Sequence, residues 1–159
     1  MIYVGIDNGL SGGIVMIDGP HIIAALTMPT RGKANGNEVD ADALHSWLGG
    51  LKVEATVIIE TPGKFAKGVQ AISSMWDSYG ATRAVIECLG LRHHRITPQK
   101  WQRVMLPNCA KGDTKPAALA RARQLWPGAK WTATDRSVKA HDGLIDAALI
   151  AEFGRISNL

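Results

Sequence analysis

Four carboxylates stand at positions where strands and one helix could bring them together: Asp7, Glu60, Asp142 and Asp146. Asp7 ends the short β-rich run IYVGID, and Glu60 ends the apolar run ATVIIE. Asp142 and Asp146 are four residues apart in HDGLIDA, a spacing that puts both side chains on one helical face with Cβ atoms about 6 Å apart. Clustered anions repel one another unless a cation neutralises them. Hard oxygen donors without a Cys or His majority suit Mg²⁺ or Mn²⁺. Two such ions about 4 Å apart can stabilise both the attacking and the leaving oxygen of a phosphodiester cleavage. Taken singly, each acid has an ordinary reading as a turn residue or helix cap. Only the joint pattern points to chemistry.

The elements that must hold these groups follow from the pattern of apolar residues. Residues 2–7, 13–18 and 21–27 read as three strands separated by the turn-forming NGLSGG and Asp18, Gly19, Pro20, which predicts an antiparallel meander. Residues 28–38 read as a polar loop. A helix is expected over 41–51, with Asp40 as its cap and Leu44, Trp47, Leu48 and Leu51 at helical spacing. The continuous apolar run at 55–60 is the pattern of a strand buried on both faces. A helix over 69–88, broken or bent near Gly80, leads to a strand over 91–96. Thr97 then caps a helix with Pro98 at its first position, ending near Pro107. Helices over 115–126 and roughly 139–154 complete the chain. Early strands followed by alternating strands and helices predict an α/β fold: a mixed five-stranded sheet, antiparallel meander plus parallel strands, with helices on both faces.

These residues resemble a known family. VGIDNGLSGG, VIIETPG, ITPQKW and HDGLIDAALIA, in that order over nearly the whole chain, look like the RuvC-type Holliday junction resolvases of the ribonuclease H-like superfamily, particularly their phage and organelle-related branches. The resemblance implies that Asp7 bridges two Mg²⁺ (or Mn²⁺) ions, with Glu60, Asp142 and Asp146 completing their coordination. It also implies a homodimer that presents two active sites to branched DNA, a four-way junction, and makes symmetric nicks with 5′-phosphate and 3′-hydroxyl ends. The apolar positions between 69 and 90 exceed what one sheet face needs, so that helix is the expected dimer interface. Some cellular members of the family space the last two acids by three residues. Here Gly143 stands three before Asp146, and Asp142 takes the ligand role.

Candidate DNA contacts surround the acids. In TPGKFAKG, Phe65 lies between Lys64 and Lys67, so an exposed ring could stack on an unpaired base while the lysines meet phosphates. The alternative is a Phe folded into the core. Lys100, Arg103, Lys111, Lys115 and Lys139 could neutralise backbone phosphates without reading sequence, or simply form solvated faces. His141 could donate to the scissile phosphate or shuttle a proton, or it could serve a helix start. His93 and His94 are read as structural, and Trp47, Trp76, Trp101, Trp126 and Trp131 as core or interface anchors.

Composition sets the outer bounds. The 159 residues, 46% hydrophobic, suffice for one core, and a single domain over 1–159 is expected. A formal charge of +4 suits a phosphate-rich partner. Cys88 and Cys109 have no CxxC spacing or Cys/His cluster, which excludes a disulfide framework or zinc site and leaves two expected buried thiols. With neither a leader pattern at the N-terminus nor an apolar run approaching about 20 residues, a cytoplasmic setting and no membrane partner are expected.

Three competing readings remain on the sequence alone. DNGLSGG could cradle nucleotide phosphates as in actin-like ATPases, but those folds bind ATP between two lobes. An RNA/DNA-hybrid ribonuclease or flap nuclease would use the same four acids. A non-catalytic DNA-binding module would need the basic residues and not the acids.

Overall fold

The computed structural model describes residues 1–34, 36–51, 55–63, 68–110 and 112–159. Strands β1 (Ile2–Asp7), β2 (Gly13–Asp18) and β3 (His21–Thr27) form the expected antiparallel meander. Strands β6 (Thr56–Glu60) and β7 (Arg92–Ile96) then add in parallel beyond β1, giving the order β3-β2-β1-β6-β7. The 28–38 segment is not a loop. It forms a separate two-stranded ribbon, β4 (Thr30–Lys33) against β5 (Gly36–Val39), with Arg31 facing Glu38 across the pair at 2.8 Å. All four residues of β4 are exposed, so no alternation of apolar and polar residues announces the ribbon.

Helices cover both faces of the main sheet. Side chains alternate along a strand, so Val4, Ile6, Val57 and Ile59 face one way, onto α1 (Ala41–Leu48) and α2 (Val69–Cys88). Tyr3, Val15, Ile17 and Ile58 face the other way, onto α3 (Pro98–Met105), α4 (Thr114–Leu125) and α5 (Asp142–Ile156). Asp40 caps α1 as expected, its Oδ1 accepting from the Ala43 N–H at 3.0 Å, and the Gly49, Gly50 pair ends the helix earlier than residue 51. Helix α2 runs unbroken through Gly80. Tyr79, Val85 and Ile86 anchor it to the sheet, and this packing outweighs the roughly 1 kcal/mol helix penalty of one glycine. Among the described residues, no helix is long and apolar enough to cross a membrane.

Close packing of a helix on two strands sets the site. Helix α5 lies across β1 and β2, with Ala147, Ala148 and Ala151 fully buried. A Cβ on Gly5 would stand 2.0 Å from the Ala147 carbonyl oxygen, so only glycine lets helix and strand backbones approach this closely. The helix start is held the same way: Gly12, in the turn after β1, bridges to Gly143 at the second position of α5.

Candidate active site

The strand register brings the first two acids together. β1 and β6 run parallel with Ile6 opposite Ile59, so Asp7 and Glu60 emerge from the same ends of neighbouring strands. By the alternation above, both continue the face on which α5 packs: Asp7 follows Tyr3 and Gly5, and Glu60 follows Ile58. Asp146, on the second turn of α5, completes the group. Asp142 lies one turn earlier, is about 41% exposed, and is bound by the Lys115 ammonium of α4.

Burial shifts three of these carboxyls upward, and neighbouring negative charge adds to the shift of two of them. Asp7 is pushed to about 6 by loss of water, partly offset by the Gly9 N–H that donates to its Oδ1 at 3.4 Å. Glu60 rises to about 8, by burial first and then by the charges of Asp7 and Asp146. Asp146 rises to about 7 through burial and the charges of Asp7 and Asp142, with Lys115 pulling the other way. Asp7 is therefore the common electrostatic neighbour of Glu60 and Asp146. Among the described residues, no three His, Cys, Asp or Glu side chains close into a finished metal cage. The group is a set of mutually repelling oxygens rather than a collapsed cluster. The donor set, carboxylate oxygens from Asp7, Glu60 and Asp146 without Cys or His, fits a hard divalent cation, which would have to displace the protons these raised carboxyls otherwise hold.

Two hollows meet at Asp7. An open cleft of about 520 Å³ is lined by Asp7, Ser11, Lys115, Lys139, His141, Asp142 and Asp146. A smaller cavity of about 90 Å³, lined by Asp7, Asn8, Glu60, Thr61 and Met75, lies against Glu60. Three of the expected phosphate-contacting residues, Lys115, Lys139 and His141, thus share a cleft with Asp7, Asp142 and Asp146. His141 also serves the helix start: its Nδ1 accepts from the Leu144 N–H at 3.2 Å, which leaves Nε2 as the only ring nitrogen available as a donor. Lys100 is exposed on α3 and does not line the cleft. Lys64, Phe65, Lys67 and Lys111 lie outside the described residues.

Several groups at the site have no local signature in the sequence. The buried Asn8 side-chain amide donates to the Glu60 carbonyl, pinning the tip of β6 to the end of β1. Thr61 donates to the Ile96 carbonyl through both its N–H, at 2.7 Å, and its hydroxyl, at 3.0 Å. The Trp101 indole N–H donates to Glu60 Oε2 at 3.3 Å. Trp101 is a core residue as expected, but its polar edge belongs to the site. Of the expected buried thiols, Cys88 is exposed on the last turn of α2 and Cys109 is only half-buried.

A three-stranded meander continued by two parallel strands, with helices on both faces, is the ribonuclease H-like architecture. Solved structures of RuvC share it over nearly the whole chain. Thermus thermophilus RuvC in complex with a Holliday junction substrate superposes with a TM-score of 0.67 at 14% identity, covering 99% of this chain and 96% of that one. Another Thermus thermophilus RuvC structure superposes at 0.58 with 13% identity, covering 99% and 97%. No family model and no curated protein sequence matches the chain. At such identities the shared property is the fold.

Proposed function

We propose that this protein is a metal-dependent endonuclease that resolves four-way DNA junctions. One observation carries the reading: Asp7, Glu60 and Asp146 come from three separate elements to one face of the sheet, with Asp7 and Asp146 lining a cleft that also holds Lys115 and Lys139 and Glu60 lining the cavity that adjoins it at Asp7. The end-to-end likeness to a RuvC structure that contains a Holliday junction supports the choice of branched DNA.

In this reading Asp7, Glu60, Asp142 and Asp146 would hold two Mg²⁺ or Mn²⁺ ions, Asp7 being the electrostatic neighbour of both Glu60 and Asp146. Bound there, the ions supply an activated water and charge stabilisation for the departing 3′ oxygen, giving nicks with 5′-phosphate and 3′-hydroxyl ends. The chain's own residues do the rest. Lys115, which here contacts Asp142, and Lys139 take backbone phosphates along the cleft. Lys64, Phe65, Lys67, Lys100 and Lys111 are the remaining candidate DNA contacts in this reading. No side chain acts as a nucleophile. Two copies pair through the exposed stripe of Val69, Ile72 and Trp76 on α2, which puts two sites on one junction.

The test is cleavage of a labelled four-way junction, a linear duplex and an RNA/DNA hybrid, each with Mg²⁺ and with EDTA. Paired nicks confined to the junction and dependent on Mg²⁺ are expected, with Ca²⁺ supporting binding and not turnover. Asp146→Asn should bind the junction and fail to cut it. Cutting of the hybrid alone would reassign the substrate, and undiminished cutting by Asp146→Asn would remove the carboxylate site.

A further inference from the structure

Trp101 is fully buried on α3, in the same cluster as Ile58, Ile96, Met105 and Ile145. Its single polar atom, Nε1, donates to Glu60 Oε2 at 3.3 Å. Among the described residues, no hydrogen bond reaches Glu60 Oε1. We infer that Trp101 is a positioning residue that occupies one oxygen of Glu60, so that Glu60 presents the other to a cation and the site favours Mg²⁺ over Ca²⁺. This inference rests on the metal-dependent reading above.

The physical case begins with rigidity. An indole N–H is a donor only, so it can hold a carboxylate and cannot itself ligate a cation. A buried indole that loses its acceptor bears a desolvation cost, which makes the Trp101 to Glu60 bond favourable from both ends. The backbone on either side of Glu60 is fixed as well. Asn8 donates to the Glu60 carbonyl, and Thr61 is tied to Ile96 by two hydrogen bonds. Glu60 is thus immobilised at its main chain and at one of its carboxylate oxygens.

The consequence for cation choice follows from coordination chemistry. Ca²⁺ takes six to eight oxygens and often both oxygens of one carboxylate, whereas Mg²⁺ requires near-octahedral geometry and accepts one oxygen from each carboxylate. A donor that claims Oε2 penalises two-oxygen binding by Glu60 and leaves one-oxygen binding intact. Hydrogen-bond partners of metal ligands typically change metal affinity about 10-fold to 100-fold when removed.

The experiment compares the wild-type protein with Trp101→Phe, measuring Mg²⁺ and Ca²⁺ affinity by calorimetry and by the metal-dependent rise in Tm. Trp101→Phe is expected to lose Mg²⁺ affinity about 10-fold or more while Ca²⁺ affinity holds or rises, so that the ratio of the two shifts by about 10-fold. Loss of both affinities in step, with the ratio unchanged, would show a merely structural role and overturn the inference. NMR of the wild-type indole N–H resonances is independent of whether the variant folds: Mg²⁺ should move the Trp101 resonance and leave that of Trp126, whose indole N–H donates to the Pro20 carbonyl at the other end of the strands, in place. Mg²⁺ binding with an unmoved Trp101 resonance would overturn this inference alone. Absence of any Mg²⁺ binding by the wild type would overturn the metal site itself and this inference with it.

Discussion

Gly143 offers the sharpest test of how the acids are positioned. It occupies the second position of α5, between Asp142 and the buried Leu144, and its Cα packs directly against the turn that follows Asp7. A Cβ added at 143 would lie 2.5 Å from Gly12 Cα, Gly12 C and the Ser11 carbonyl oxygen. All three are backbone atoms, so no side chain can swing away. Ordinary contact begins at 3.4 Å, and relief of the Gly143→Ala clash therefore requires the start of α5 to retreat from the β1 turn by about 0.9 Å. That retreat carries Asp142 and Asp146 away from Asp7. Overpacking of this kind costs about 1 to 3 kcal/mol of stability. A catalytic constellation displaced by about 1 Å loses on the order of 10²-fold in rate. Gly143→Ala should accordingly remain folded with a lowered Tm, bind a four-way junction, and nick it about 100-fold more slowly in single-turnover assays with saturating Mg²⁺. Gly128→Ala, where a Cβ meets open space, is the matched control and should change neither Tm nor rate appreciably. A Gly143→Ala protein that cuts at the wild-type rate would refute the claim that this glycine contact sets the distance between α5 and Asp7.

Three further outcomes follow from the same geometry. Asp7, Glu60 and Asp146 bind protons up to about pH 6, 8 and 7 in the folded chain, against ordinary values of 3.8, 4.5 and 3.8, so between about pH 4 and 8 the folded state holds more protons than the unfolded one. Their contribution to stability is therefore full below about pH 4 and is lost as pH rises towards 8; Tm in EDTA should fall across that window, fall less steeply in Asp146→Asn, and be restored by Mg²⁺ increasingly at higher pH, whereas a Tm that rises with pH would contradict the buried-acid site. Lys115→Met should weaken junction binding in Ca²⁺ and reduce the slope of log affinity against log salt by about 0.9, and an unchanged slope would exclude a phosphate contact at that lysine. Trp76→Glu, placed in the exposed stripe of α2, should turn the proposed dimer into a monomer in sedimentation velocity, and an unaltered mass would remove that stripe as the interface.

The features legible in the sequence are those whose physics is local. The runs at 2–7, 13–18, 21–27 and 55–60 are apolar enough to be strands wherever they fall, and Asp40 and Pro98 mark helix starts by chemistry confined to one turn. The β4–β5 ribbon escaped because exposed strands have no periodicity to display, and α2 continued unbroken through Gly80 because distant packing overrides local propensity. Two signals at the site were present but local reading could not interpret them. Gly143 stands where a three-residue spacing would put an acid. Any side chain there would collide with Gly12, and Asp142, one position earlier, sits at the exposed rim against Lys115. Trp101 reads as core because a large aromatic beside apolar neighbours usually is core, and nothing within its own helix reveals an acceptor 41 residues away. In both cases the missing information is a backbone approach between elements far apart in sequence: α5 against the β1 turn, and α3 against the tip of β6. The acids supply charge that a sequence can display, while glycine contacts and an indole N–H supply the distances, which only the folded chain can display.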